Sequence, residues 1–369
     1  MKINKRVSVL IFVVLFAIAS FVIFPQFERE DFNPENVEKI SSGEMKTSTT
    51  LKSETSENNG LENDQTNESD IFADNVYDAL LINNQSQRID NIFQTYLIIG
   101  SDQRTASSSA SRGFVEGSRA DVIMLVLMDQ SGKPSLISLP RDLLILDPCT
   151  ESIQRINASY QNNDCGSDTE NLSAVILNLT GLKINHFVKF SFEGFEQIIN
   201  SFGGIEICVN ETQREGYSFE IQKGCNTLNG EISLNWVVSR NTEVLVGEKV
   251  VGSNGEDMSE WKPMAGVSDL TRVRKQQQVI ISVLKEMKNF NSFNEFFKFV
   301  NALEEAFTID QNISILKASE LLWSFRNSDF DKIKTLTVPT YNYVTESNAQ
   351  VLILEKDFYT FLSENELVK

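Results

Sequence analysis

A chain of 369 residues with a formal net charge of −18 has room for one large domain or two ordinary ones, and its acidity argues against nucleic-acid binding. Roughly ten of those negative charges lie between Pro25 and Asn91, ahead of the first convincing strand. With His186 the only histidine and four cysteines lacking Cys-x-x-Cys spacing, disulfides are a better reading than zinc, provided the domain sits outside a reducing compartment.

The N-terminus supplies that condition. A short cytoplasmic tail, residues 1–6, carries Lys2, Lys5 and Arg6 ahead of an apolar run over 7–24, about the minimum length for a transmembrane helix. Acidic residues follow it (Glu28, Glu30, Asp31), which places the remaining chain outside a single-pass anchor in the cell membrane. A cleaved signal peptide competes, because Ala17-Ile18-Ala19 resembles a cleavage site. Phe21–Phe24 carry the apolar run past that point and favour the anchor. Residues 25–91 read as an acidic flexible linker with too little apolar surface to offset its ordering entropy, apart from weak helical spacing at Phe72, Val76, Leu80 and Leu81.

From residue 92 strand and helix signals alternate. Phe93–Ile99, Asp121–Met128 and Ser135–Leu139 are dense in β-branched and aliphatic residues, as buried strands are. Thr169–Leu179 has helical spacing with Gly181 as C-cap. His186–Phe192 alternates as a strand, Gly194–Phe202 reads as a helix, and Gly203-Gly204 turns into the strand Ile205–Val209. A short helix over Glu231–Val238 precedes a Gly/Glu/Ser-rich loop, residues 241–267, too long for a plain connector. Asp269–Met287 is a strong amphipathic helix. Two more helical stretches, two short strands (Ile333–Val338, Val351–Leu354) and a closing helix fill 291–369 and complete the same domain. The expected fold is α/β: a mixed β-sheet sandwiched between helical layers, preceded by one transmembrane helix.

Between Ile98 and Asp142 an apolar run begins or ends three times at an Arg and an Asp only a few residues apart: Asp102 with Arg104, Arg119 with Asp121, Arg141 with Asp142. Acid beside Arg at rigid strand tips suits a site holding a metal ion and a phosphate together. Three surface ion pairs of little energetic weight are the plainer alternative. Further along stand Arg155, Arg240 and the helical group Asp269, Arg272, Arg274 and Gln277, in which Gln276 falls on the side of Arg272 and Arg274 lies about 200° round from it. There is no P-loop, Gly-x-Ser-x-Gly, His-Glu-x-x-His or Rossmann glycine pattern.

Taken in order, Gly100-Ser-Asp-x-Arg104, Arg119-x-Asp-x-Ile123, Pro140-Arg-Asp142, Arg155-Ile-Asn-Ala-x-Tyr160, Thr180-Gly-x-x-Ile-x-His-Phe187, Phe192-x-Gly-Phe195, Gly203-Gly-Ile205 and Asp269-x-x-Arg-x-Arg-x-Gln-Gln277 resemble the LytR-CpsA-Psr family. The resemblance implies a membrane-anchored phosphotransferase that moves a glycopolymer from a polyprenyl-pyrophosphate carrier onto peptidoglycan through a phosphodiester, with a pyrophosphatase side activity. It further implies Mg²⁺ (or Mn²⁺) on Asp102 and Asp121; Arg119, Arg141, Arg155, Arg240, Arg272, Arg274 and Gln277 around the pyrophosphate; and Arg119, Arg141 and Asp121 at the chemistry. The general base is open between Asp121 and Asp142. Apolar faces over Phe187–Ile199 and Val279–Leu284 are candidate slots for the lipid.

The sequence departs from the family pattern at three places. Val238 stands where the first Arg of an Arg-x-Arg is usual, Lys275 replaces an arginine, and Asn185 replaces an Asp. Loss of one phosphate-binding Arg would weaken binding by ~1.5–3 kcal/mol. These changes keep a second reading alive, a non-catalytic envelope protein that binds isoprenoid pyrophosphate and regulates or scaffolds wall assembly. His186 reads as a packed structural residue rather than a base. Of three cysteine connectivities, the sequential one, Cys149–Cys165 and Cys208–Cys225, is preferred.

Overall fold

The computed structural model describes residues 29–44, 80, 86–89, 92–101, 119–161, 163–264, 269–303, 306–326, 329–345 and 348–368. Asp102, Arg104 and the apolar run 7–24 lie outside them. Among the described residues no helix is long and apolar enough to cross a membrane.

The chain runs β1 (Arg29–Glu30), α1 (Pro34–Ser42), β2 (Phe93–Ser101), β3 (Ala120–Asp129), β4 (Pro134–Ser138), β5 (Leu144–Leu146), β6 (Ile153–Arg155), α2 (Asp168–Thr180), β7 (His186–Ser191) and α3 (Phe192–Ser201). There follow β8 (Ile205–Val209), β9 (Gln213–Glu215), β10 (Phe219–Ile221), β11 (Gly224–Leu228), α4 (Gly230–Val238), β12 (Glu243–Val246), β13 (Glu260–Pro263) and α5 (Asp269–Glu286). It closes with α6 (Phe293–Ala302), β14 (Phe307–Asp310), α7 (Ile315–Phe325), β15 (Lys334–Thr337), β16 (Thr340–Val344), β17 (Gln350–Leu354) and α8 (Phe358–Glu364).

Seven strands form one mixed sheet in the order β1-β14-β7-β2-β3-β4-β15. Period-two alternation sorts its side chains onto two faces. Leu97, Ile99, Ile123, Leu125, Ile137 and Phe187 point into the core built with α2. Ile98, Val126, Leu136 and Val188 point to the opposite face, toward α5 and α7. The expected helix–sheet–helix sandwich is what forms. β14 and β15, both from the C-terminal stretch, are strands of this sheet.

Helix α2 has a Ser167 capping box, ends at Gly181 with φ 71°, and is buried over nearly its whole length. A helix buried all round needs cover on its outer side, and α1 supplies it. Phe32, Val37 and Ile40 enter the core, and Glu170 on α2 accepts hydrogen bonds from Asn33 N (3.0 Å) and Asn36 Nδ2 (3.3 Å). Residues 29–44 are therefore part of the fold, correcting the expectation of a linker from 25 to 91. The local signals were present, because Asn33 caps, Pro34 opens and Gly43 (φ 76°) closes the helix.

A smaller body packs on the other flank of α5. It contains the β8–β11 pair, the sheet β10-β9-β12-β13 and helices α3 and α4, and its core includes Ile199, Ile207, Phe219, Trp236 and Val279. The stretch expected as a loop over 241–267 in fact pairs β12 with β13 across an antiparallel register. Gly194 lets α3 sit against the backbone at Ala306, where a Cβ would come 1.9 Å from the carbonyl oxygen. Both disulfides pair sequentially, Cys149–Cys165 and Cys208–Cys225, the first pinning the loop before α2 and the second joining β8 to β11. Closing loops of this length is worth about 3 kcal/mol each in the chain-entropy model.

Candidate functional site

The site lies at one end of the main sheet. Asp121 is the second residue of β3. Arg141 and Asp142 follow β4, where Leu139 N still bonds to Ile123 O (2.9 Å) and Pro140 turns the chain. One guanidinium nitrogen of Arg141 bonds to Asp121 Oδ1. Asp142 gathers three arginines from three elements: Arg141 Nε at 3.8 Å, Arg155 Nε from the end of β6 at 3.3 Å, and Arg272 Nη2 from α5 at 3.6 Å. Gln276, one turn beyond Arg272, donates to Asp121 O at 3.4 Å. Apart from Arg155, these charged side chains are mostly buried, with 12–21% of their surface exposed. Partial burial strengthens their fields and limits screening by salt.

The remaining expected residues are placed as follows. Arg119 is exposed immediately before β3, and Arg240 is exposed between α4 and β12. Arg274 is exposed on the flank of α5 opposite Gln276, so the structure does not bring it to Asp121 and Asp142. Gln277 is also elsewhere. It is buried, and its Nε2 donates to Ser138 Oγ and Leu336 O, both at 2.9 Å, tying α5 to β4 and β15. The glutamine that faces the cluster is Gln276, a shift of one residue. Asp142 as the meeting point of the arginines was likewise not read from the sequence, although it stood in the Pro-Arg-Asp motif.

Lys275 does not replace a clamp arginine in space. Its Nζ donates to Trp236 O (3.0 Å) and Thr242 Oγ1 (2.9 Å), bracing the turn that carries Arg240. Burial pulls its pKa down to about 8; Glu215 opposes the shift and Arg272 adds to it.

Apolar space leads away from the charged cluster. A crevice of about 40 Å³ is lined by Asp121, Phe190, Phe195, Val237 and Gln276. Ile280 lines this crevice and also a larger cavity of about 190 Å³ between the sheet and α7, lined by Ile98, Val126, Val188, Leu284 and Leu322. The apolar faces expected from Phe187–Ile199 and Val279–Leu284 thus line adjoining spaces. His186 sits at the far end of β7, about 16 Å along the sheet from Ser191 at ordinary strand rise. Its Nδ1 is 3.2 Å from Asp310 Oδ2.

A charged head site adjoining apolar space agrees with a family-level match. The family model LytR_cpsA_psr matches residues 45–247 and 254–365. The chain belongs to the LytR_cpsA_psr family. Among its relatives is "Probable cell wall biosynthesis protein LcpB" of Corynebacterium glutamicum, 23% identical over 297 residues, covering 78% of this chain and 64% of that protein. Another is "Polyisoprenyl-teichoic acid--peptidoglycan teichoic acid transferase TagU" of Enterococcus faecalis, 27% identical over 201 residues, covering 53% of this chain and 62% of that protein. The match thus spans a little under two thirds of the length of these curated relatives. The crystal structure of B. subtilis TagV superimposes with a TM-score of 0.56 at 22% identity, over 76% of this chain and 97% of that one, which establishes the shared LytR_cpsA_psr fold.

Proposed function

We propose that this family member is a Mg²⁺-dependent phosphotransferase that moves a glycopolymer from a polyprenyl-pyrophosphate lipid onto peptidoglycan. The observation that carries the reading is the convergence of Arg141, Arg155 and Arg272 on two aspartates beside adjoining apolar spaces. Such a lipid has the matching shape, dense negative charge joined to a long apolar tail. The relatives named as teichoic acid transferases add to it.

In the reaction, an acceptor hydroxyl oxygen bonds to the phosphorus that carries the glycan and gives up its proton to a carboxylate of the site, Asp121 or Asp142. The bond from that phosphorus to the bridging oxygen breaks, and the lipid leaves as its monophosphate. Charge builds on the departing phosphate, and guanidinium forks held in place by Asp121 and Asp142 neutralise it without reorganising. The donor chemistry also fits a divalent cation. Asp121 gives one oxygen to Arg141 and retains a second, and Mg²⁺ takes only one or two carboxylates alongside phosphate oxygens. Asp121 would hold the ion together with Asp102, and the ion would supply charge neutralisation on the phosphate. Arg119 and Arg240, exposed on neighbouring segments, would reach the donor's phosphates from above.

The protein would work outside the cell membrane, anchored by residues 7–24. Two disulfides support an oxidising compartment. The test is the full-length protein in detergent with a polyprenyl-pyrophosphoryl glycan, Mg²⁺ and peptidoglycan. Transfer of glycan to the wall polymer is expected, with loss on chelation. No transfer and no donor cleavage would refute the assignment.

A further inference from the structure

Helix α5 has two working flanks. Arg272, Gln276 and Ile280 face the cluster and the apolar spaces. The opposite flank floors a separate groove of about 460 Å³, walled by β8 on one side and by the edge strand β15 on the other. The floor's neutral polar groups are already engaged: Gln277 with Leu336 O (2.9 Å), Gln278 with Cys208 O (3.0 Å) and Ser282 with Glu206 O (2.8 Å). What the groove offers a ligand is charge of both signs. Arg274 lies at the end nearest the cluster and makes no hydrogen bond or ion pair among the described residues. Lys285 and Glu286 lie eleven and twelve residues further along the helix, with Glu206 on the wall. Burial, aided by the charge of Glu206, holds the Glu286 carboxyl above the usual range against a hydrogen bond that Asn289 Nδ2 donates to its Oε2.

We propose that this groove binds the acceptor of the transfer, a glycan strand bearing peptides, with a peptide carboxylate on Arg274 and a peptide ammonium between Glu206 and Glu286. The proposal rests on the function proposed above and adds the place where the second substrate docks. The mixed charge favours it over the donor. A pyrophosphate drawn to Arg274 or Lys285 would also face Glu206 and Glu286, and a polyprenyl tail would have to desolvate all four charges. A zwitterionic peptide satisfies both signs at once. From Arg274 to Lys285 is ~16 Å of helix, the span of about five extended residues. Arg274 is also only two residues from Arg272, so donor and acceptor would approach one helix from opposite sides and meet at its N-terminal end.

The experiment compares acceptor and donor kinetics in full-length Glu206→Lys and Arg274→Glu proteins, using a soluble disaccharide-peptide with a free side-chain amine as acceptor. Each variant should raise the acceptor KM about tenfold while donor KM and acceptor-free donor cleavage stay at wild-type values. N-acetylating the amine should weaken the acceptor equally for wild type but add nothing in Glu206→Lys. Unchanged acceptor KM in both variants overturns the groove assignment, and a raised donor KM overturns it in favour of donor-glycan binding. Wild-type protein inert toward the donor would instead refute the transferase reading. Calorimetry with the same disaccharide-peptide then judges the groove alone: binding lost in the variants upholds it, and equal or absent binding ends it.

Discussion

Two acid–base constellations sit at opposite ends of the same sheet, and they are built differently. At the His186 end, Asp310 is fully buried, and its oxygens accept from Phe187 N (3.3 Å) and Asn312 N (2.8 Å) as well as facing His186. At the Asp142 end, three guanidiniums converge on one carboxylate at 3.3–3.8 Å, and among the described residues neither Asp121 nor Asp142 accepts from a main-chain N–H. A charge satisfied by its own backbone is part of the scaffold. Cations held near one another by a single acid keep an excess of positive charge that a phosphate can take up.

The sharpest way to break this contrast is Arg141→Ala, which removes the side chain linking Asp121 to Asp142. Transfer should fall ~10²–10³-fold, as for loss of one preorganised donor, with little change in Tm. Activity within threefold of wild type would place the chemistry elsewhere. Lys275 belongs to the scaffold type, and its test is pH. Its pKa is about 8 in the folded chain against 10.5 unfolded, so between those values the unfolded chain binds the extra proton. Its contribution to stability therefore rises with pH across that window, by up to about 3 kcal/mol. Denaturant midpoints of wild type minus Lys275→Met should show that rise; parallel profiles would contradict it. Asp310→Asn should cost about 1–3 kcal/mol of stability through its buried donors and leave kcat unchanged. A selective loss of kcat would make the His186 end functional after all. Smallest of the four, Arg155→Ala should raise donor KM severalfold, because Arg155 is the most exposed arginine on Asp142 and also serves Gln350 O (2.9 Å).

Much of this was legible in the sequence for a simple reason. The central strands β2, β3 and β4 are buried on both faces, and their composition announces it. The acid–arginine motifs sit at their tips, so Asp121, Arg141 and Asp142 were found together with the strands. The helix was harder. Each residue turns 100°, and neighbouring glutamines on α5 therefore serve different partners: Gln276 meets Asp121 O while Gln277 braces β15. Arg274 illustrates the same geometry, since its 200° offset from Arg272 was visible and sends it to the other flank. The short pairs β5–β6 and β12–β13 were missed because strands of three or four residues carry no periodicity worth counting. Residues 29–44 were missed through averaging, since one short capped helix was submerged in a long polar segment.

That docked segment has a bearing on height. Should residues 7–24 cross the bilayer, Arg29 already belongs to a strand paired with β14. Only five residue steps then separate Phe24 from the folded body, about 18 Å at full stretch. Such an anchor would be a stub and not a leash. The protein would patrol a thin shell directly over the membrane, where lipid-borne donors are plentiful, and the wall polymer would have to come down to meet it.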